Sequence, residues 1–149
     1  MNIAQEIAPN LTGREQLEAM IAHGGRAPIG KSLEFTLTEV GDGVAILEAT
    51  PGIHAYNPIG TVHGGYAATL LDSACGCAVH SKLSADQAYT TLELKVAYHR
   101  AMTKNTGPIR AEGRVVNIGR RAAFAEATII DAAGRLYASA TSTLLVMDR

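Results

Sequence analysis

The segment GTVHGGYAATLLDSACG, residues 60–76, holds the residue types best suited to chemistry. It places His63, Gly64 and Gly65 at the start of an apolar run and a single acid, Asp72, inside that run. If a helix begins near Gly64, its first amides lack intrahelical partners and carry the positive end of the helix dipole. Such amides can polarise a carbonyl oxygen. The segment therefore predicts a site for carbonyl chemistry at the start of a helix.

Asp72 is too far along this helix to act at the helix's own N-terminus. At a rise of about 1.5 Å per residue it lies ~12 Å from Gly64. A buried carboxylate without a partner is costly. Both difficulties disappear if two chains pair with their central helices antiparallel, because Asp72 of each chain then meets the N-terminus of the other. A homodimer with two equivalent sites is the resulting prediction.

A structural interpretation of the same residues stays open. Asp72 could accept hydrogen bonds from nearby hydroxyls such as those of Thr69, Ser73 or a strand threonine. His63, and Asn57 in the turn-forming segment NPIG, would then be ordinary loop residues. The presence of all these side chains around one predicted helix start favours the functional interpretation.

The surrounding pattern predicts the elements that position these residues. They are a helix from Thr12 to about Ala22, strands at 33–40 and 44–51, a buried helix from about Gly64 to Lys82, and strands at 89–100, 109–119, 122–131 and 136–147. Thr12 and Glu15 form a capping box, and Gly41-Asp42-Gly43 predicts a hairpin turn. Turn signals around residues 117–119 and 132–134 make the last three strands antiparallel neighbours. A sheet curling round a buried helix gives an α+β domain.

Composition excludes several classes of function. The chain has 149 residues, enough for a single domain, and a formal net charge of -1 without a basic run, which argues against nucleic acid or an anionic membrane as partner. No apolar stretch is long enough to span a membrane, and residues 1–10 lack the features of a signal peptide, so a cytoplasmic protein is expected. Cys75 and Cys77 are too close for a disulfide and are expected to be small buried side chains. The five histidines show no spacing typical of a metal site.

Residues 25–32, GRAPIGKS, match the phosphate-loop pattern G-x-x-x-x-G-K-[ST]. That loop works between a preceding strand and a following helix, whose N-terminal amides face the phosphates. Here a predicted helix precedes the motif and a predicted strand follows it. The motif is therefore rejected as a nucleotide site.

At N57-P-I-G-T-V-H-G-G65 and A68-T-L-L-D-S-A-C-G76 the chain resembles the PaaI-type acyl-CoA thioesterases of the hotdog fold. The family pattern is approximately N-P-x-G-x-x-H-G-G followed by A-T-L-x-D-x-A-x-G. The resemblance implies a single hotdog domain over residues 1–149, with an extra N-terminal helix at about 12–23 and a core at about 30–147. One departure is Ala101, where family members commonly carry a proline, which affects loop shape and acyl specificity.

The resemblance also implies roles for the residues of the motif. Gly64 offers its backbone N–H to the thioester carbonyl, helped by the Asn57 side chain. Asp72 of the neighbouring subunit is the general base or the nucleophile. Thr91 positions the water, with Thr90 as the other candidate. His63 shapes the site or contacts the substrate near the sulfur.

Binding of coenzyme A is implied at the turn N117-I-G-R-R121, whose other interpretation is a solvated hairpin turn. The residues implied to contact coenzyme A are Gly65, Gly119, Arg120 and Arg121. The implied activity is hydrolysis of an acyl-CoA thioester by a homodimer or a tetramer of two dimers, without cofactor or metal. Two alternatives stay open on the same fold: an enoyl-CoA hydratase and a non-catalytic acyl-CoA-binding or sensing module.

Overall fold

A computed structural model describes residues 3–149 of the chain. The helices are α1 (Ile3–Ile7), α2 (Gly13–Ala22), α3 (Pro28–Leu33) and α4 (Gly64–His80). The strands are β1 (Phe35–Gly41), β2 (Val44–Ala49), β3 (Gln87–Tyr98), β4 (Ile109–Ile118), β5 (Ala122–Asp131) and β6 (Leu136–Asp148), and a 3-10 turn covers Ile53–Ala55. All the helices and strands predicted from the pattern are present, with bounds shifted by a few residues.

The six strands form one antiparallel sheet in the order β1-β2-β4-β5-β6-β3. The predicted antiparallel neighbours β4, β5 and β6 are confirmed. The predicted hairpin is also present, since Gly41 pairs with Val44 across a two-residue turn that Gly43 closes with a φ of 74°. Because β1 and β3 lie at the two edges, the sheet is open rather than closed into a barrel.

Helix α4 packs lengthwise on this sheet and supplies the centre of the core. Leu70, Leu71 and Ala74 are fully buried against it. On the sheet side, Gly113 makes the close approach possible, because a Cβ there would lie 2.2 Å from the carbonyl oxygen of Ala74. The α+β prediction, with a long antiparallel sheet on a central helix as in the hotdog fold, is confirmed.

The predicted buried helix α4 is covered by the sheet, but one of its faces is not covered within the chain. We call this face the open strip: Gly65, Ala68, Thr69, Asp72 and Ser73, all half-buried or exposed. Asp72 is therefore half-buried in the single chain. Next to it, none of the 12 residues of edge strand β3 is buried.

Helix α2 begins as predicted, with Thr12 accepting from the Glu15 amide and the Glu15 carboxylate accepting from the Thr12 amide. It docks on the C-terminal end of α4 through a partly buried hydrogen bond of 2.9 Å between Gln16 Oε1 and His80 Nε2. Burial lowers the pKa of His80 to about 4, so the imidazole is neutral at pH 7. No helix within residues 3–149 has the length and apolar character that crossing a membrane requires.

Two short helices, α1 and α3, were not predicted. Helix α3 contains most of the phosphate-loop-like motif, and it runs for one and a half turns before Glu34 closes it in the left-handed region with φ 58° and ψ 44°. Pro28 fits the first turn of a helix because its missing N–H has no intrahelical role there. Six residues are too few to show a helical period, so the pattern gave no signal.

The β5–β6 turn is organised by a buried carboxylate that the sequence analysis did not single out. Asp131 accepts from the backbone amides of Ala133 and Arg135, both at 2.9 Å, and from Arg135 Nε at 2.6 Å and Tyr137 Oη at 3.1 Å. Burial alone would raise the pKa of Asp131, but these hydrogen bonds outweigh it and lower the pKa to about 2.

In Asp131→Asn, the free energy of unfolding should fall less as the pH is lowered than it does in the native protein. Because the pKa of Asp131 is lower in the folded than in the unfolded chain, its contribution is present above about pH 4 and is lost as the pH falls toward about 2. Urea midpoints measured across this window should fall less in the variant than in the native protein. The control is Asp148→Asn at the exposed end of β6; an identical acid dependence of Asp131→Asn and the native protein would contradict the prediction.

Candidate active site

The N-terminus of α4 is capped by His63, whose Nδ1 accepts from the Gly65 amide at 2.8 Å. Gly65 has to be small here, because a Cβ would lie 2.9 Å from that nitrogen. The cap occupies the Gly65 amide, whereas no residue between 3 and 149 accepts from the Gly64 amide. Gly64 therefore presents the open donor at the positive end of a 17-residue helix.

Tyr98 at the end of β3 fixes this first turn of α4 from the side of the sheet. Its hydroxyl donates to the Gly64 carbonyl at 2.8 Å, and a Cβ on Gly64 would lie 2.9 Å from the tyrosine oxygen. The motif's two glycines thus have separate spatial reasons, one for the histidine cap and one for Tyr98. Sequence reasoning missed Tyr98, since a tyrosine at the end of a strand carries no signal of a contact with a helix start.

Asn57 organises the loop that leads to the site. Its Oδ1 accepts from the amides of Ile59 and Thr61, both at 3.1 Å, and its Nδ2 donates to Thr61 Oγ1 at 2.8 Å. These bonds leave one amide hydrogen of Asn57 for another acceptor. The side chain is thus mainly a clamp on the NPIG turn, which places His63 and Gly64.

Asp72 and Thr91 are brought together across the interface of α4 and β3. Thr91 Oγ1 donates to Asp72 Oδ1 at 3.0 Å, which identifies Thr91, and not the exposed Thr90, as the contact. Thr69 donates to the Gly65 carbonyl of its own helix instead. The strand threonine of the structural interpretation is therefore the same residue as the one assigned to water positioning.

A cleft of about 260 Å³ opens beside Gly64, between the start of α4 and the ends of β3 and β6. It is lined by Val62, His63, Gly64, Ala67, Tyr98, His99, Arg100, Ala101, Met102, Tyr137 and Ala138. Asn57, Asp72 and Thr91 are not in its wall. Of the predicted catalytic residues, the cleft within one chain therefore contains Gly64 and His63 only.

Arg120 and Arg121 are exposed at the β4–β5 turn, which the Gly119 amide closes with a 2.8 Å bond to the Ala122 carbonyl. This turn is remote from Gly64 in the same chain. Tyr98, the neighbour of Gly64, pairs with Ala138, whereas the Arg121 carbonyl accepts from Val146 at the other end of β6. Eight residues of strand correspond to roughly 27 Å.

The cysteines do not provide a nucleophile. Cys75 is buried and Cys77 partly buried in the core side of α4, and both are free thiols. Burial raises the pKa of each to about 12, so neither forms a thiolate near pH 7. Among residues 3–149, no three side chains of His, Cys, Asp or Glu are grouped so that they could hold a metal ion.

Comparison with known proteins adds three relatives. The chain is 28% identical over 114 residues to a 1,4-dihydroxy-2-naphthoyl-CoA hydrolase of Listeria monocytogenes, covering 76% of this chain and 89% of that protein. It is 38% identical over 84 residues to a candidate esterase of Halobacterium salinarum, a match that spans 55% of this chain and about half, 54%, of that relative. A solved thioesterase family protein of Silicibacter pomeroyi superposes with a TM-score of 0.77 at 26% identity, covering 87% of this chain and 96% of that one.

The family model of the Thioesterase superfamily matches residues 59–138, more than half of the chain. The matched region runs from the NPIG turn through α4 to the start of β6, so it contains Gly64, Asp72 and Thr91. The family predicted from the motif is confirmed at the level of this superfamily. On the fold and the family match together, the chain belongs to the thioesterase superfamily.

Proposed function

We propose that the protein hydrolyses acyl-CoA thioesters, with Gly64 of one subunit and Asp72 of its partner in each active site. The observation that carries the proposal is the separation of the motif residues: Gly64, whose amide has no acceptor among the described residues, lines a cleft, while Asp72 lies on the open strip of α4, about 12 Å along the helix. Membership of the thioesterase superfamily supports hydrolysis of a thioester; the acyl-CoA substrate and the shared site are our proposal.

A homodimer follows from the surfaces that one chain leaves uncovered. Strand β3 is a long edge strand without a buried residue, and the open strip of α4 runs beside it. Long open edges are normally covered in native proteins. A second copy related by a two-fold axis would cover both surfaces and place α4 antiparallel to its counterpart. A tetramer of two such dimers remains the expectation for the assembly.

The reaction needs little from the protein beyond positioned polar groups. Water, or the Asp72 carboxylate itself, attacks the carbonyl carbon of the thioester, and the oxygen that becomes negative accepts from the Gly64 amide. The carbon–sulfur bond then breaks, and the thiolate of coenzyme A takes up a proton. Where Asp72 itself attacks, the acyl group stays on its carboxylate as an anhydride, and a water molecule cleaves this anhydride in a second step, which releases the acid and restores Asp72. In the base mechanism Asp72 receives the proton of the attacking water, and Thr91 holds the carboxylate in place.

The proposed dimer also determines which subunit brings the β4–β5 turn, with Arg120 and Arg121, to each active site. In one chain Arg120 and Arg121 lie at the far end of β6 from Gly64, too remote for one substrate molecule to use both. With antiparallel helices, the turn of one chain approaches the Gly64 end of the other. We therefore assign Arg120 and Arg121, with Gly119 and the exposed Gly65 as backbone contacts, to the phosphates of coenzyme A, the arginines coming from the subunit that supplies Asp72.

Replacing both Arg120 and Arg121 by Ala should raise KM for an acyl-CoA about tenfold or more, because two charge-assisted contacts to phosphate are lost. The same acyl group on a truncated pantetheine thioester, which lacks the nucleotide, should show little change in KM. A matched control replaces by Ala the exposed Arg26, whose side chain lies beside Thr36 on β1 and not at the β4–β5 turn. Equal losses on both substrates would count against the assignment.

A thiol-release assay over a panel of acyl-CoA thioesters tests the function. Hydrolysis of at least one acyl group with release of free coenzyme A supports the proposal. Hydration of a 2-enoyl-CoA without thiol release would instead indicate a hydratase, and saturable binding without turnover would indicate a sensing module. A cytoplasmic location stays a prediction that fractionation of cells can check.

A further inference from the structure

The cleft beside Gly64 has a charge pattern that points to the kind of acyl group it takes. We propose that this cleft selects an acyl group carrying a carboxylate, which Arg100 contacts. The inference rests on the proposed function and goes beyond it by naming the substrate class. It starts from the wall of the cleft, whose lining residues include Arg100, His63 and His99 but no aspartate or glutamate.

Arg100 is held in place without an acidic partner. Its backbone amide and that of His99 donate to the Tyr137 carbonyl at 3.1 and 2.8 Å, which ties the end of β3 to β6. Its guanidinium lies 6.0 Å from the centre of the Tyr137 ring, within the range of a cation–π contact. Across residues 3–149, no carboxylate comes within ion-pairing distance of Arg100.

The surface under Arg100 is formed by side chains that are themselves held by hydrogen bonds. Tyr137 is buried, and its hydroxyl donates to Asp131, which accepts three further hydrogen bonds in the β5–β6 turn. His99 is likewise fixed by a 2.8 Å bond between its Nε2 and Ser139 Oγ. A guanidinium held on a fixed ring loses less side-chain entropy when it binds an anion, and its planar donors suit a carboxylate.

The small volume of the cleft indicates that the anion near Arg100 belongs to the acyl group of the substrate. A volume of about 260 Å³ is at the lower limit of small-molecule sites and leaves no room for a nucleotide. The thioester carbon has to lie at the Gly64 amide in the same cleft, so the remaining space belongs to the acyl group. Tyr98 and Met102 in the wall contact its carbon chain or ring, and Arg100 contacts the carboxylate. A phosphate of coenzyme A is the other source of an anion, and the experiment separates the two.

The test compares glutaryl-CoA with valeryl-CoA, which have the same chain length but differ in the terminal carboxylate. The native protein should hydrolyse glutaryl-CoA with a kcat/KM at least about tenfold higher, as expected for charge-assisted hydrogen bonds. Arg100→Met should remove this preference, and Arg100→Lys should keep part of it. Lys104→Met, which removes an exposed cation outside the cleft, is the matched control and should leave the ratio unchanged.

The outcomes separate this inference from the proposed function. Thiol release by the native protein with a ratio near one, or a ratio that Arg100→Met leaves unchanged, overturns the inference alone. A loss on both acyl groups that disappears with pantetheine thioesters assigns Arg100 to a phosphate and also overturns it. An equal loss on glutaryl and valeryl thioesters of both coenzyme A and pantetheine, with a native circular dichroism spectrum, assigns Arg100 to the reaction centre and overturns the inference. No thiol release from any acyl-CoA overturns the proposed function, and the inference with it.

Discussion

Asp72→Asn should lower kcat for acyl-CoA hydrolysis by at least about a hundredfold, the lower end of what a positioned general base contributes. The amide is nearly isosteric with the carboxylate but can neither accept a proton at neutral pH nor attack the thioester. Its oxygen can still accept from Thr91, whose bond to Asp72 measures 3.0 Å in the native protein. The fold and the dimer should therefore persist, and the loss should lie in kcat rather than in KM. Thiol release and circular dichroism on one preparation check this.

Two further variants separate chemistry from structure at Asp72. Thr91→Val removes the hydrogen bond but keeps the carboxylate, so its loss of kcat should be smaller than that of Asp72→Asn. Asp86→Asn changes an exposed acid in the loop between α4 and β3, which has no part in the proposed site, and should leave kcat unchanged. A folded Asp72→Asn protein that retains more than about a tenth of native kcat would assign Asp72 a structural role.

The main helices and strands could be predicted from the sequence because its local signals agree with one another. The Thr12–Glu15 capping box, the Gly41–Gly43 turn and the start of the apolar run at Gly64 each specify one element boundary, and the structure has all three. The order of the strands required more than local pattern. The pairing of β3 with β6 joins residues about fifty positions apart, and only the packing of the sheet around α4 determines it.

The candidate site could be predicted only in part, for a physical reason that differs from residue to residue. The role of Gly64 follows from the chemistry of a helix start, which is local in sequence, whereas the cap that His63 forms was not predicted. Tyr98, Arg100 and Tyr137 meet this start from the far ends of β3 and β6, and such contacts leave no local signal. The half-buried position of Asp72 agrees with its predicted place at a contact with a second chain, but an apolar helix does not reveal which other residues share that face.

Gly64→Pro should lower kcat about 10²- to 10³-fold, the range found when one oxyanion donor is removed. Proline lacks the N–H that we assign to the thioester carbonyl, and the first helical position tolerates it. The preceding His63 has φ −62° and ψ 135°, the extended conformation that a following proline requires. Gly64→Ala is the matched control: it adds the same Cβ, 2.9 Å from the Tyr98 hydroxyl, but keeps the N–H. If alanine and proline lowered kcat equally, the Gly64 amide would have no special role.

Mixing the two inactive proteins then tests whether the sites are shared between subunits. In a hybrid of one Asp72→Asn chain and one Gly64→Pro chain, the intact Gly64 of the first faces the intact Asp72 of the second. If each active site takes one residue from each chain, half of the randomly paired dimers carry one working site, and activity should recover to about a quarter of the native value. Sedimentation and native mass spectrometry confirm that hybrids have formed. Hybrids without recovered activity would show that Gly64 and Asp72 do not complete a site in trans, and the antiparallel dimer would have to be abandoned.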